Sequence, residues 1–188
     1  MKQRKLLVVG SILLLLVVLF VEAGGARQAE AASVQVSARS TVVMMHTTAY
    51  SYTDGSRPSA YIAYPRKAGY PTRHNLATEG RGTYADPVTM ASYRGELPIG
   101  SIVYLPYLRK YFVMEDACGQ CSYDWRYHHR WHIDLWVGPR VITHRPALLA
   151  CEYSLTRSAT KVILHPAHNL IVDQTLMFSN NRCTVHFH

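Results

Sequence analysis

An all-β barrel or sandwich is the fold this sequence predicts. Three observations lead there. The apolar and β-branched runs are short. Turn signals built from Gly, Pro, Asp and Asn separate them. One run, His132 to Val137, alternates with the period of two expected of a strand. Many short strands with turns between them favour a closed or sandwiched sheet over a helical bundle.

In chain order, Val42 to Tyr50 reads as a first strand. Residues 51–83 then read as a long loop region, with turn signals at Asp54-Gly55, Arg57-Pro58, Tyr64-Pro65 and Tyr70-Pro71. Loops of this length inside a compact domain are often functional, and this one carries Tyr52, Tyr61, Tyr64 and Tyr70 among basic residues. Val88 to Tyr93 and Ser101 to Leu105 read as strands, with a turn at Gly95 to Gly100. Tyr111 to Glu115 follows across a hairpin connection. Here Phe112, Met114 and Asp116 are placed on one face, and Tyr111, Val113 and Glu115 on the other. Pro146 to Tyr153 suits one or two helical turns. Val162 to Leu164, Leu170 to Val172 and Leu176 to Phe178 read as short strands. No repeat, phosphate loop, Ser-His-Asp elbow or dinucleotide fingerprint is visible.

The 188 residues allow one domain with a small extension. Lys2, Arg4 and Lys5 precede an apolar run from Leu6 to Val21, and small residues ending Ala29-Glu30-Ala31-Ala32 follow. That layout predicts a secretory signal peptide over 1–31, cleaved after Ala31; the alternative is an uncleaved anchor. Residues 32–41 read as a flexible leader. A secreted, extracellular or cell-envelope location is expected, with no stable membrane insertion once the signal is removed. The formal charge is +8. A basic exported domain suits an anionic partner such as a wall polymer, and its compartment disfavours nucleic acid.

All four cysteines, Cys118, Cys121, Cys151 and Cys183, follow the signal segment. An even count in an exported chain favours disulfides. Of three possible pairings, Cys118–Cys121 with Cys151–Cys183 is expected, because the second bond would tie down the tail. Zinc is the rival, since Cys118-x2-Cys121 and His128-x3-His132 have ligand-like spacing. Neither a metal nor a cofactor is expected.

The densest chemistry lies between Met114 and Gly138. Ile133, Leu135 and Val137 share one strand face; His132, Asp134 and Trp136 share the other, which is expected to be exposed. A carboxyl beside an indole suits sugar handling, since one offers a proton and the other a flat apolar surface. A strand-end aspartate that caps a turn or pairs with an arginine is the plainer alternative.

The order of the pieces resembles the 3D domain, named for three aspartates, a double-psi β-barrel related to MltA-type lytic transglycosylases, RlpA-like proteins and expansins. Thr47-Thr48-Ala49-Tyr50 resembles its opening strand, and Tyr84-Ala85-Asp86-Pro87 its first aspartate motif. Leu97 to Leu105 resembles its IPLGS-x-VYV segment. Glu115-Asp116-Ala117-Cys118-Gly119 and Ile133-Asp134-Leu135-Trp136-Val137-Gly138 resemble the second and third aspartate motifs. His132-Ile133-Asp134 also resembles the His-Phe-Asp signature of expansins, which loosen walls without hydrolysis. Two features depart from the pattern. An insert containing Trp125, His128 and His129 separates the last two aspartates, and Cys118-Gly119 stands where Gly-Gly is usual.

The resemblance implies a six-stranded double-psi barrel over 42–140 with long loop insertions. A C-terminal β extension over 141–188, tied by a disulfide, would follow. It implies a monomer acting on a cell-wall polysaccharide: peptidoglycan, chitin or glucan. Asp134 would be the single acid–base residue, with Asp116 as its neighbouring carboxylate. Asp86, His132, Trp136, Tyr50 and Trp125 would bind or shape the site. An unperturbed Asp titrates near ~3.9, so Asp134 would need a raised pKa to act as an acid. The non-enzymatic alternative is an expansin-like wall-binding protein.

Overall fold

The structure, a computed structural model, describes residues 39–188 apart from 55–58 and 141–143. The expected signal peptide, the leader up to residue 38, and the turn at Gly55 and Arg57-Pro58 lie outside the described residues.

Six strands close into a barrel. They are β1 (Thr41–Tyr50), β2 (Val88–Ser92), β3 (Ile102–Leu105), β4 (Lys110–Ala117), β5 (His132–Trp136) and β6 (Arg157–Leu164). Their order around the barrel is β1-β5-β2-β4-β3-β6, with β6 returning to β1. β1 runs parallel to β5, and β2 parallel to β4; the other pairs are antiparallel. The successive strands β1 and β2 therefore straddle β5, and β4 and β5 straddle β2. Parallel neighbours need long crossovers; the loop over 51–83 and the helix α1 (Gly119–His128) both lie in the one from β1 to β5, and β3 lies in the one from β2 to β4. A second helix, α2 (Arg145–Leu155), precedes β6, and a short hairpin, β7 (Phe178–Ser179) with β8 (Arg182–Cys183), follows it.

The core follows from the alternation. Met45, Val88, Met90, Val103, Leu105, Phe112, Met114, Ile133, Leu135 and Val162 are buried together, joined by Leu148, Cys151 and Leu155 of α2. Each such side chain contributes roughly 1.5–3 kcal/mol by burial. Spacing of 148, 151 and 155 puts these three on one helix face. Pro146 in the first turn and His144, whose Nδ1 accepts from the Ala147 N–H at 3.2 Å, start that helix.

The strands expected over 42–50, 88–93, 101–105, 111–115 and 132–137 are present to within a few residues. Five expectations need correction. The barrel does not end at residue 140, because β6 supplies its sixth stave and only then is the sheet closed. That strand starts at Arg157, where the sequence showed polar residues; its outer half is exposed, so no apolar pattern marks it. Leu170 to Val172 forms no strand, and Leu176 to Phe178 enters one only at Phe178. The insert between the last two aspartates, for which no element was expected, forms helix α1; it buries only Cys121 and Asp124, so it has no apolar stripe to read. Finally, the second face of β5 is not exposed. His132 and Trp136 are buried there, because the 51–83 loop and α1 cover that side.

Both disulfides match the expected pairing: Cys118–Cys121, and Cys151–Cys183 joining α2 to β8. No helix among the described residues is long and apolar enough to cross a membrane.

Candidate functional site

The site is built where β1 and β5 run side by side. Their parallel register sets His46 beside His132, Thr48 beside Asp134 and Tyr50 beside Trp136. With a period of two, the chemistry-bearing residues of both strands face the same way. Asp116 joins them by a different device. Simple alternation would put it in the core with Phe112 and Met114. A bulge between β2 and β4 breaks that alternation, since Met90 pairs with Met114 but Ala91 pairs with Asp116. Bulges re-aim side chains in this way.

The result is a groove of about 340 Å³ lined by Tyr50, Asp54, Tyr61, Asp116, Cys118, Asp134 and Trp136, with backbone from the start of α1. Its size falls in the range of small-molecule sites. Asp134 sits at its base, part-buried. Burial pushes its carboxyl up to about 6, a hydrogen bond with Thr48 opposes this, and the charges of Asp54 and Asp116 add to it. Asp116 is also raised, mainly by burial. Its carboxylate accepts from the Tyr50 hydroxyl at 2.9 Å and from the Ala63 and Ala117 N–H groups, each at 2.8 Å. Burial and the adjacent Asp116 charge hold the Tyr50 hydroxyl well above its ordinary value. Asp54, also raised by burial, accepts from the Ser51 N–H at 2.6 Å. Glu152 of α2 is pushed to about 7 by burial and by Asp54 and Asp134.

Behind Asp134 runs a hydrogen-bonded row. Thr48 Oγ1 lies 2.6 Å from Asp134 Oδ1 and 3.0 Å from His132 Nε2. His132 Nδ1 lies 2.7 Å from Asp124 Oδ2, which also accepts from Arg130 at 2.5 Å. Burial lowers His132 to about 4. Hydrogen bonds from Arg130 and His132 pull Asp124 below its ordinary value despite burial.

The expected site residues thus divide. Asp134, Asp116, Tyr50 and Trp136 meet at one groove. Trp136 is buried, with its indole N–H donated to the Gly138 carbonyl at 2.9 Å, so it is a wall rather than an open sugar platform. His132 reaches the groove only through Thr48. Trp125 packs edge-on against Trp131 and does not line the groove. Asp86 does not line it either. Its carboxylate lies 3.4 Å from His74 Nε2, whose Nδ1 is 2.6 Å from the buried Glu115. The three aspartates therefore do not converge; two do.

Sequence reasoning missed Asp54 and Asp124 as site residues. It named Thr48 only within a motif, although the parallel register of 46–50 against 132–136 would have marked it. For a metal, Cys118, Cys121 and His132 have ligand atoms within 4.8 Å of one another. The two sulfurs are bonded to each other, and both ring nitrogens of His132 already have partners. Of the other depressions, one of about 550 Å³ between Tyr104, Tyr107, Arg109 and Lys161 has no Asp or Glu side chain in its lining. Another, of about 250 Å³, contains Glu79, whose carboxylate accepts from the Gly138, Met177 and Phe178 N–H groups.

Comparison with known proteins gives a consistent family assignment. The family model of the DDB_G0273701 N-terminal domain matches residues 42–184. A Dictyostelium discoideum protein, the uncharacterized DDB_G0273701/DDB_G0273221, is 38% identical over 132 residues, covering 70% of this chain and 55% of its own length. The chain thus spans about half the length of that relative. No solved structure matches.

Proposed function

The chain belongs to the DDB_G0273701 N-terminal domain family, and on the geometry of its groove we propose that it is a secreted protein acting on a cell-wall polysaccharide, with Asp134 as its single acid–base residue. The observation that carries the reading is the Asp134 carboxyl, part-buried at the base of an open groove and held up to about 6 beside Asp116 and Asp54. A carboxyl in that range is protonated in mildly acid conditions and can still be reprotonated, as a group serving as acid and then base must be.

In the proposed reaction the Asp134 proton passes to the glycosidic oxygen as the bond to the anomeric carbon breaks. The carboxylate then removes a proton from the same sugar's C6 hydroxyl, whose oxygen closes an anhydro ring on that carbon. No carboxylate nucleophile is required, unlike the two-carboxylate glycosidases. Asp116 fits a supporting part, since its oxygens are already engaged by Tyr50, Ala63 and Ala117.

The fold proposed for this chemistry is the double-psi barrel of 3D-domain and RlpA-like proteins. The straddled pairs β1/β2 and β4/β5 support it. The two disulfides are compatible with an exported protein.

A second reading is a wall-binding, expansin-like protein without turnover. It is favoured by the partial burial of Asp134. Incubation with labelled peptidoglycan, chitin and β-glucan separates the two. Soluble anhydro-sugar products lost in Asp134→Asn support the enzyme, with activity falling as pH rises through about 6 and the acid ionises. Co-sedimentation without products supports the binder. Undiminished product release by Asp134→Asn overturns the catalytic assignment.

A further inference from the structure

Behind the groove, the row Asp134, Thr48, His132, Asp124 contains three hydrogen bonds in series. Each bond needs one proton. Asp124, paired with Arg130 and pulled below its ordinary value, is a carboxylate and supplies none. The Thr48 hydroxyl supplies one, for whichever neighbour it points to. Two more must come from Asp134 and His132 together.

With one proton, beyond the His132 Nδ1–H, shared between Asp134 and His132, two arrangements satisfy all three bonds. In one, Asp134 is protonated and donates to Thr48, Thr48 donates to Nε2 of a neutral His132, and Nδ1–H donates to Asp124. In the other, Asp134 is ionised, Thr48 donates to it, and His132 is a cation donating from both ring nitrogens. If Asp134 loses its proton while His132 stays neutral, one link holds two facing lone pairs and no hydrogen. A buried unmade link of this kind costs about 1–3 kcal/mol.

We propose that His132, acting through the Thr48 hydroxyl, is the positioning residue that governs the proton on Asp134, so that the two side chains hold one movable proton between them. The proposal rests on the acid–base reading of Asp134 for its use, but the proton count stands on the geometry alone. It also gives that reading a physical ground. As the structure stands, Thr48 donates to Asp134; once Asp134 is protonated in mildly acid conditions the neutral arrangement prevails over the other, because the His132 ring is fully enclosed and a cation there is disfavoured. Once Asp134 has given its proton away, the row lacks one, and the carboxylate regains basicity for the return step.

Other groups face this row. The His46 ring packs 4.3 Å from the His132 ring and bonds the Arg157 carbonyl through Nδ1. Glu96 accepts from the His132 N–H at 2.6 Å, and Gln120 bonds Asp124 at 3.2 Å. Asp54, Asp116 and Glu152 press on Asp134 from the groove side, with Tyr50 across Asp116 and Arg145 near Asp54 and Glu152.

The test is a nuclear magnetic resonance titration of the full chain from pH 4 to 8, following the Asp134 carboxyl carbon and both His132 ring nitrogens. Wild type is expected to show one shared midpoint: as Asp134 loses its proton the Thr48 hydroxyl turns to the carboxylate, and the neutral His132 Nε2 loses the hydrogen bond it accepted. Thr48→Val, which keeps the shape and removes the hydroxyl, should leave the His132 signals flat through the Asp134 midpoint. Thr48→Ser should restore the shared midpoint. His132 nitrogens that stay flat in wild type, or that still track Asp134 in Thr48→Val, would overturn the proposal. Because no glycan enters the measurement, failure of the cleavage reading leaves this result standing, and the converse also holds.

Discussion

Glu115 is the pin that holds the 51–83 loop against the barrel, and replacing it with alanine should release that loop. Its side chain is fully buried. It accepts from the Arg73 N–H at 3.2 Å, the His74 N–H at 3.1 Å and the Thr89 hydroxyl at 2.6 Å, and contacts the His74 ring at 2.6 Å. Each stranded donor would cost about 1–3 kcal/mol if it stayed dry. Water entering the vacated space relieves part of this, so the net loss is about 3–5 kcal/mol, as for other broken buried pairs. Against a usual total of about 5–15 kcal/mol, that is a large share. Urea unfolding followed by tryptophan fluorescence measures it. Trypsin cleavage at Arg66, Lys67 and Arg73 should quicken, because these residues sit on the released stretch. The Ala63 N–H bond to Asp116 should loosen with it, opening the groove wall. A loss under about 1 kcal/mol with unchanged cleavage would refute the pinning.

Two further outcomes are expected. Glu96 is buried, and its carboxyl is raised to about 8. Its folded form binds a proton more tightly than the unfolded chain, so its contribution is complete below about 4.5 and is lost as pH rises through about 8. Wild-type stability should therefore decline over that window by roughly 3–5 kcal/mol relative to Glu96→Gln, read by thermal melts at each pH. Removing the Cys151–Cys183 bond by a double alanine substitution opens a loop of 32 residues in sequence separation. The chain-entropy estimate is about 3–4 kcal/mol, read as a lowered urea midpoint.

Strand positions were legible because apolar runs 42–50, 88–93, 101–105 and 132–137 mark them directly. Asp134 and Asp116 were legible as a pair because each lies in a short strand-like run that resembles an aspartate motif. What stayed hidden has physical reasons. β6 begins with Arg157, Ser158, Ala159 and Thr160, and nothing in that composition announces a stave of the barrel. α1 is held by a disulfide-bonded N-cap and by the Asp124 pairing with Arg130 and His132, not by an apolar face. A bulge cannot be seen in a periodic pattern, so Asp116 was assigned to the wrong face. Asp86 was placed at the groove by motif order alone, while His74, which neighbours it, belongs to no such pattern.

The last stave, β6, lies between β1 and β3, so the first strand finds its second neighbour only after residue 157 has arrived. Until then two hydrogen-bonding rims are open to any passing chain, which is the usual route to aggregation. Pairing across so much sequence also slows folding. A shortened version ending before β6 would keep both rims exposed.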